Sequence, residues 1–302
     1  MLVYEGVKSG FINDVDLNLI TDKILTRFKE VFHRSTGESE INSWRESMLR
    51  MRGVLADNEI PDNAGVAIEF NIPHTSNRID FLLSGYDKNK KNSIIIIELK
   101  QWTHADSVPG KDGVVSTVTG KALREVTHPS YQAWSYASLI DSYNQEVYDR
   151  NVGLHPCAFL HNYELTDNDP INSEQYKDYI NAAPMFGAKD FEKLRDFIKR
   201  FVTEGDDKEG LYIIENGKIK PSKMLQDSFS SVLKGNKEFV LIDDQKVIFE
   251  EALRIGINAH LHNEKSVLIV EGGPGTGKSV LAINLLKQFL NRSLNSFYVT
   301  KK

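Results

Sequence analysis

The chain has 302 residues, 40% of them apolar, which suits one or two globular domains with ordinary cores. Its single cysteine, Cys157, excludes a disulfide framework or a cysteine-built zinc site within one chain and fits a reducing, cytoplasmic setting. The net charge of −5 excludes a uniformly basic nucleic-acid binder, and the sequence shows neither a secretory leader nor the roughly 18-residue apolar run of a membrane helix.

Residues 1–12 carry no periodic signal. Leu17, Ile20, Ile24, Leu25 and Phe28 recur at helical spacing and predict one helix from Asn13 to Phe32. After the turn-forming Ser35, Thr36 and Gly37, a second helix is expected from Glu40 to Leu55, with Ile41, Trp44, Met48, Leu49 and Met51 inward. Three strand-like runs follow: Val66 to Ile72, Arg78 to Ser84 and Ser93 to Trp102. The last contains Ile94, Ile95, Ile96 and Ile97, β-branched and apolar on both faces, as in a strand buried on both sides.

That strand ends in Glu98-Leu99-Lys100. Alternation puts Glu98 and Lys100 on one face, and charges at the end of an apolar strand are costly unless paired or bound to a cation. The turn-rich segment Ser84 to Asn92 predicts a hairpin that brings Asp80 beside Glu98. Two carboxylates and the Leu99 carbonyl are hard oxygen donors suited to Mg2+ or Mn2+, and Lys100 is a compact cation able to stabilise charge on a phosphate. A plain ion pair between Glu98 and Lys100 is the alternative.

This D…E-x-K arrangement resembles the PD-(D/E)xK nuclease superfamily. The resemblance implies a restriction-endonuclease-like α/β core, a mixed sheet flanked by helices, and catalysis by Asp80, Glu98 and Lys100. In such nucleases the first core helix often adds an acidic ligand, so Glu40 and Glu46 are candidates, each alternatively a solvated helix charge, and Glu69 is a third, alternatively a residue on the wet face of its strand.

Thr103 to His128 reads as an insertion with a short hairpin, in which Lys111, Lys121 and Arg124 are candidate phosphate contacts or a solvated loop. Pro129 opens a helix on which Gln132 and Tyr136 share a face at i, i+4. Coming after E-x-K, this Q-x3-Y is similar to that of RecB-type nucleases, which implies that both residues line the active site or its nucleic-acid groove. Val152 to Tyr163 is expected as the last core strand, with Cys157 a core residue and His155 and His161 structural. Asp167 to Pro184 reads as a loop with a short helix. Asp190 to Phe201 reads as an amphipathic helix docking between domains, and Leu211 to Ile214 as a strand turning at Asn216-Gly217. Pro221 to Leu233 reads as a connector helix.

Near the C-terminus an apolar run, Ser266 to Val270, precedes Gly272-Gly273-Pro274-Gly275-Thr276-Gly277-Lys278-Ser279 and an apolar-periodic helix to about Leu290. This is G-x4-G-K-S between a predicted strand and a helix, the P-loop context. Backbone amides including those at Gly272, Gly275 and Gly277 would cradle phosphates, Lys278 would reach the outer phosphates and Ser279 would ligate Mg2+. Gln245, ahead of the preceding helix, resembles the Q motif of superfamily 1 helicases, where such an amide reads adenine. The stretch Gln245 to Tyr298 resembles the start of the Schlafen-group-3-like helicase domain of prokaryotes, to which a PD-(D/E)xK-like nuclease is often fused.

The expected organisation is a nuclease domain at 1–165, a connector at 166–238 and the N-terminal part of a P-loop helicase or ATPase domain at 239–302. A second strand is expected from Ser296 to Thr300. No acidic Walker B strand follows, so this stretch is expected to be incomplete and ATP hydrolysis to belong to a longer protein. The resemblances imply a metal-dependent nuclease, DNA favoured over RNA, in an ATP-dependent nuclease–helicase of antiphage defence. A ribonuclease and a non-catalytic nucleic-acid sensor are the rival readings. No membrane partner is expected, and exposed sheet edges suit self-association.

Overall fold

A computed structural model describes residues 2–73, 75, 77–218, 240–273 and 275–299. Its strands are β1 (Tyr4–Val7), β2 (Gly65–Asn71), β3 (Arg78–Tyr86), β4 (Asn92–Lys100), β5 (Ala105–Ser107), β6 (Val114–Thr119), β7 (Ala122–Thr127), β8 (Gly153–Leu160) and β9 (Met185–Gly187). Its helices are α1 (Lys8–Asp16), α2 (Ile20–Phe32), α3 (Glu38–Leu55), α4 (Pro129–Tyr143), α5 (Gln145–Asp149), α6 (Lys177–Ala182), α7 (Phe191–Phe201), α8 (Glu209–Asn216), α9 (Asp244–His262) and α10 (Lys278–Asn291).

Among the described residues the main sheet has six strands in the order β1-β2-β3-β4-β8-β9. It is mixed: β1 to β4 run antiparallel, and β8 and β9 add in parallel. The isoleucines of β4 explain its central place. Ile95 and Ile97 enter a core with residues of α1, α2, α3 and α7, while Ile94 and Ile96 enter a second core with α4 and α8. Burial on both faces is what an unbroken β-branched run provides and an alternating strand does not. The protein is thus α/β, a mixed sheet flanked by helices. No helix among the described residues is long and apolar enough to cross a membrane.

Several expectations are corrected. Residues 1–12 contain β1 and the start of α1. The single helix expected from Asn13 to Phe32 is two, because Asn18 takes a left-handed φ of 56° that breaks the helical ladder, and Leu17 is left 60% exposed. The insertion forms a three-stranded sheet, β5-β6-β7, rather than a hairpin. Its Lys111 is no phosphate contact: it is buried and ion-paired with Glu125 at 2.5 Å and Glu251 of α9 at 2.8 Å.

Beyond residue 165 the chain goes on building the same layers. β9 extends the sheet past β8, and α7 places Leu194 and Ile198 in the core of α1 to α3 instead of between domains. The strand expected at Leu211 to Ile214 is helix α8. The Asp206 carboxylate accepts the N–H of Gly210 at 2.8 Å in its first turn, and Leu211, Ile213 and Ile214 fill the α4 core. Asn216-Gly217 ends this helix rather than turning a hairpin, with the Gly217 N–H donating to the Ile213 carbonyl. The helix expected at Pro221 to Leu233 lies outside the described residues.

The C-terminal segment packs α9 on α10 through Leu241, Phe249, Leu253 and Leu281. The strand expected at Ser266 to Val270 is not formed. A strand needs a neighbour for its ladder, and among the described residues none pairs with it, leaving Val267 and Ile269 exposed. Ser296 to Val299 likewise form no strand, and Thr300 lies outside the described residues.

Candidate active site

The β3–β4 register pairs Phe81 with Ile97, so Asp80 and Glu98 are the next opposed positions, where the pairing of these two strands stops. Here the ladder gives way to side chains. The Leu99 N–H donates to Asp80 Oδ2 at 2.8 Å, and Lys100 Nζ donates to Glu98 Oε1 at 2.8 Å. Lys100 also stands 5.3 Å from the centre of the Trp102 ring. Glu98 is buried, and its Oε2 has no hydrogen-bond partner among the described residues. Burial pushes the Glu98 carboxyl well up, helped by the charge of Asp80, and burial raises Asp80 as well, against the pull of Lys100. Burial pulls Lys100 down, but the charges of Glu98 and Asp80 outweigh it and hold the ammonium above its usual range.

Glu69 is opposite Asp80 on the other side, between the pairs Ile68–Phe81 and Phe70–Ile79. It has φ 56°, a rare value inside a strand. The effect is a switch of faces. Val66 and Ile68 belong to the core of α1 to α3, whereas Phe70 and Ile72 belong to that of α4; on β3, Phe81 and Ile79 divide the same way. The switch turns a carboxylate into the cleft where strict alternation would have continued a core face. Trp44 Nε1 donates to Glu69 Oε1 at 2.8 Å, and the Arg78 guanidinium lies 2.9 Å from Oε2 while also bonding Glu40. Burial, then the charge of Asp80, outweighs Arg78 and pushes the Glu69 carboxyl up to about 7.

The helix after the insertion supplies the next wall. His128 caps α4 by accepting the Ser130 N–H on Nδ1, while its Nε2 faces the Ile171 carbonyl at 2.9 Å. Burial holds this imidazole down at about 4, so it stays neutral and donates from Nε2. Pro129 starts the helix as expected. Gln132 Nε2 donates to the Tyr136 hydroxyl at 2.9 Å, and that hydroxyl donates to Asp243 Oδ2 at 2.7 Å. The result is a cleft of about 340 Å³ lined by Glu40, Trp44, Glu69, Asp80, Tyr136 and Asp243 among others.

The structure thus brings together Asp80, Glu98, Leu99, Lys100, Gln132 and Tyr136, with Glu40 and Glu69. Glu46 is on the exposed side of α3 and takes no part. His161 and His155 are structural: His161 Nε2 meets Ser47 Oγ at 3.0 Å, and His155 stacks on Phe201. Asp243 is the residue that sequence reasoning missed. It precedes a helix, where an aspartate reads as an ordinary capping residue, and nothing local ties it to Asp80 or Tyr136. Among the described residues no three His, Cys, Asp or Glu side chains form a ready-made metal cluster.

The second group of candidates gathers on the loop before α10. Gly275 and Gly277 take left-handed φ values of 78° and 82°, which a side chain rarely adopts. Lys278 Nζ turns back into the loop and donates to the carbonyls of Gly272 at 2.7 Å and Gly273 at 2.6 Å. Ser279 follows in the first turn of α10, exposed. Gln245 falls in the first turn of α9 and donates from Nε2 to the Thr276 carbonyl at 3.1 Å.

Residues 265–301 match the family model of the Schlafen group 3 DNA/RNA helicase domain. No curated protein and no solved structure matches the chain. The matched stretch contains the loop and α10, and its likeness is to a helicase-type domain.

Proposed function

We propose that the chain is a metal-dependent nuclease that hydrolyses phosphodiester bonds of DNA through Asp80, Glu98 and Lys100, in a restriction-endonuclease-like core, within an ATP-dependent nuclease–helicase. The observation that carries this reading is the meeting of these three side chains at the ends of adjacent strands, with a buried Glu98 oxygen left unpartnered.

An unpartnered buried carboxylate oxygen beside a second carboxylate fits a divalent cation. Mg2+ in particular is held by one or two carboxylates plus substrate and water oxygens, so three acidic ligands are not required. Asp80, Glu98 and the Leu99 carbonyl would hold it, and when bound it supplies Lewis acidity toward the phosphate and the attacking water. Lys100 keeps Glu98 oriented and supplies fixed positive charge for the negative charge that builds on the phosphate oxygens as water attacks phosphorus and the P–O bond breaks. Tyr136, positioned by Gln132, offers a hydroxyl to the same space.

The family match supports a nucleic-acid role and a nucleoside triphosphate site at Gly272, Gly275, Gly277, Lys278 and Ser279, with Gln245 beside it. The name of that family covers both DNA and RNA, so RNA is the second substrate reading. A part in antiphage defence rests on resemblance alone.

The test is cleavage of plasmid, linear duplex, single-stranded DNA and RNA with Mg2+ or Mn2+, comparing the wild-type chain with Lys100→Ala and with EDTA. Loss of cleavage in both controls supports the nuclease. A folded chain that cleaves nothing, with or without nucleotide, sinks it and leaves a binding module.

A further inference from the structure

Asp243 belongs to the turn that leads into α9, yet its carboxylate lies in the cleft of Asp80 and Glu69. One oxygen accepts from Tyr136, 107 residues away in sequence, and the other is buried without a hydrogen-bond partner among the described residues. Its backbone has a positive φ of 44° with ψ −120°, a conformation an aspartate holds only when its surroundings impose it.

What imposes it is visible. The Gln245 N–H donates to the Ile242 carbonyl at 3.0 Å and closes the turn around Asp243, and the Gln245 side chain ties that turn to the glycine-rich loop: Oε1 accepts the Ile242 N–H at 3.2 Å and Nε2 donates to the Thr276 carbonyl at 3.1 Å. Gly277 leaves room for this amide, since a Cβ there would lie 2.5 Å from Gln245 Nε2. Beyond the turn, α9 is pinned to the small sheet by Lys246–Asp112 at 3.0 Å and Lys111–Glu251 at 2.8 Å. The Gln245 side chain is thus a direct link between the loop and residues 242–245.

We propose that the turn Ile242–Gln245 is a nucleotide-operated gate on the carboxylate cleft. In the arrangement seen here it holds Asp243 in the cleft; a nucleoside triphosphate taken up by the loop withdraws it. This rests on the nucleotide and nuclease readings above and adds their coupling. The chemistry runs through charge and hydrogen bonds. Lys278 now spends its ammonium on two loop carbonyls, and a phosphate competes for it, so the loop around Thr276 reshapes and the Gln245 bond is lost. Asp243 adds a carboxylate where Asp80, Glu98 and Glu69 already gather, and so opposes entry of a phosphodiester. Its withdrawal removes that charge and frees the Tyr136 hydroxyl to donate to a phosphate oxygen.

The test is hydrogen exchange on the full chain with Mg2+ alone and with Mg2+ plus a non-hydrolysable ATP analogue, binding being measured separately by calorimetry. The gate requires exchange at amides 242–246 to rise at least fivefold with the analogue. It requires the same rise without nucleotide in Gln245→Ala, and none in Lys278→Ala. Binding with unchanged or slower exchange there overturns the gate and leaves the nucleotide site standing. Absence of binding overturns both. Opening without any DNA cleavage keeps the gate and sinks the nuclease reading. Cleavage that Asp243→Asn abolishes in the presence of the analogue makes Asp243 part of the catalytic set and overturns the gate.

Discussion

Glu69 faces Asp80 across β2 and β3 at the point where both strands exchange one core for the other. A buried and a half-buried carboxylate opposed in this way resist simultaneous ionisation, and Glu69 carries a raised carboxyl at about 7 for that reason after burial itself. The sign follows from linkage. The folded state holds a proton that the unfolded chain releases near its ordinary value of 4.5, so this contribution is complete below that pH and is lost as pH rises through about 7. In the absence of divalent cations, the Glu69 contribution should fall by up to about 3 kcal/mol between pH 4.5 and pH 8. Urea denaturation across that range should show the fall in the wild type and a smaller one in Glu69→Gln, because the raised carboxyls of Asp80 and Glu98 contribute with the same sign. An equal slope in the two would exclude Glu69 as its source.

Glu98 holds its unpartnered oxygen buried near Asp80. Glu98→Gln should weaken Mn2+ binding about tenfold or more by calorimetry while preserving the fold, because it removes charge and keeps shape. Since burial raises this carboxyl, wild-type affinity should rise with pH as cation and proton compete. Unchanged affinity in the variant would place the cation elsewhere.

Lys111 joins the small sheet to α9 through Glu125 and Glu251, and Arg254 and then Lys111 hold the Glu251 carboxyl down at about 2. Lys111→Ala should cost about 1–2 kcal/mol and expose α9 to limited proteolysis. A double-mutant cycle with Glu251→Ala should return a coupling near 1 kcal/mol; strict additivity would mean that the pair does not dock the helix.

Two glycines should respond in opposite directions to alanine. A Cβ at Gly85 would stand 2.5 Å from the Glu204 carbonyl oxygen and 2.6 Å from Val202, so Gly85→Ala should destabilise by about 2 kcal/mol or more. Gly10, within α1, has nothing nearer than 3.9 Å, and Gly10→Ala should stabilise by about 0.5–1 kcal/mol. Thermal denaturation of the two variants decides this, and similar shifts would contradict both assignments.

Much of this was legible from local pattern. The isoleucine run of β4, the hairpin that sets Asp80 against Glu98, the pairing of Gln132 with Tyr136 and the helix after Gly277 all follow from periodicity and turn residues, which act over a few positions. What sequence misread were segments whose state depends on distant partners. Leu211 to Ile214 is helical because Asp206 caps it and the α4 core accepts its face. Ser266 to Val270 lacks a ladder partner among the described residues. β1 is a strand because β2 offers it an edge.

The sequence by itself determined which side chains carry charge at the end of an apolar strand, since alternation places Glu98 and Lys100 together whatever surrounds them. Only the tertiary structure decided the make-up of the cleft. It turned Glu69 inward through a left-handed backbone, set Glu46 outward on α3, and brought Asp243 to Tyr136 from the far side of the chain. The physical reason is that such contacts are chosen by packing between elements far apart in sequence, and no local propensity records them.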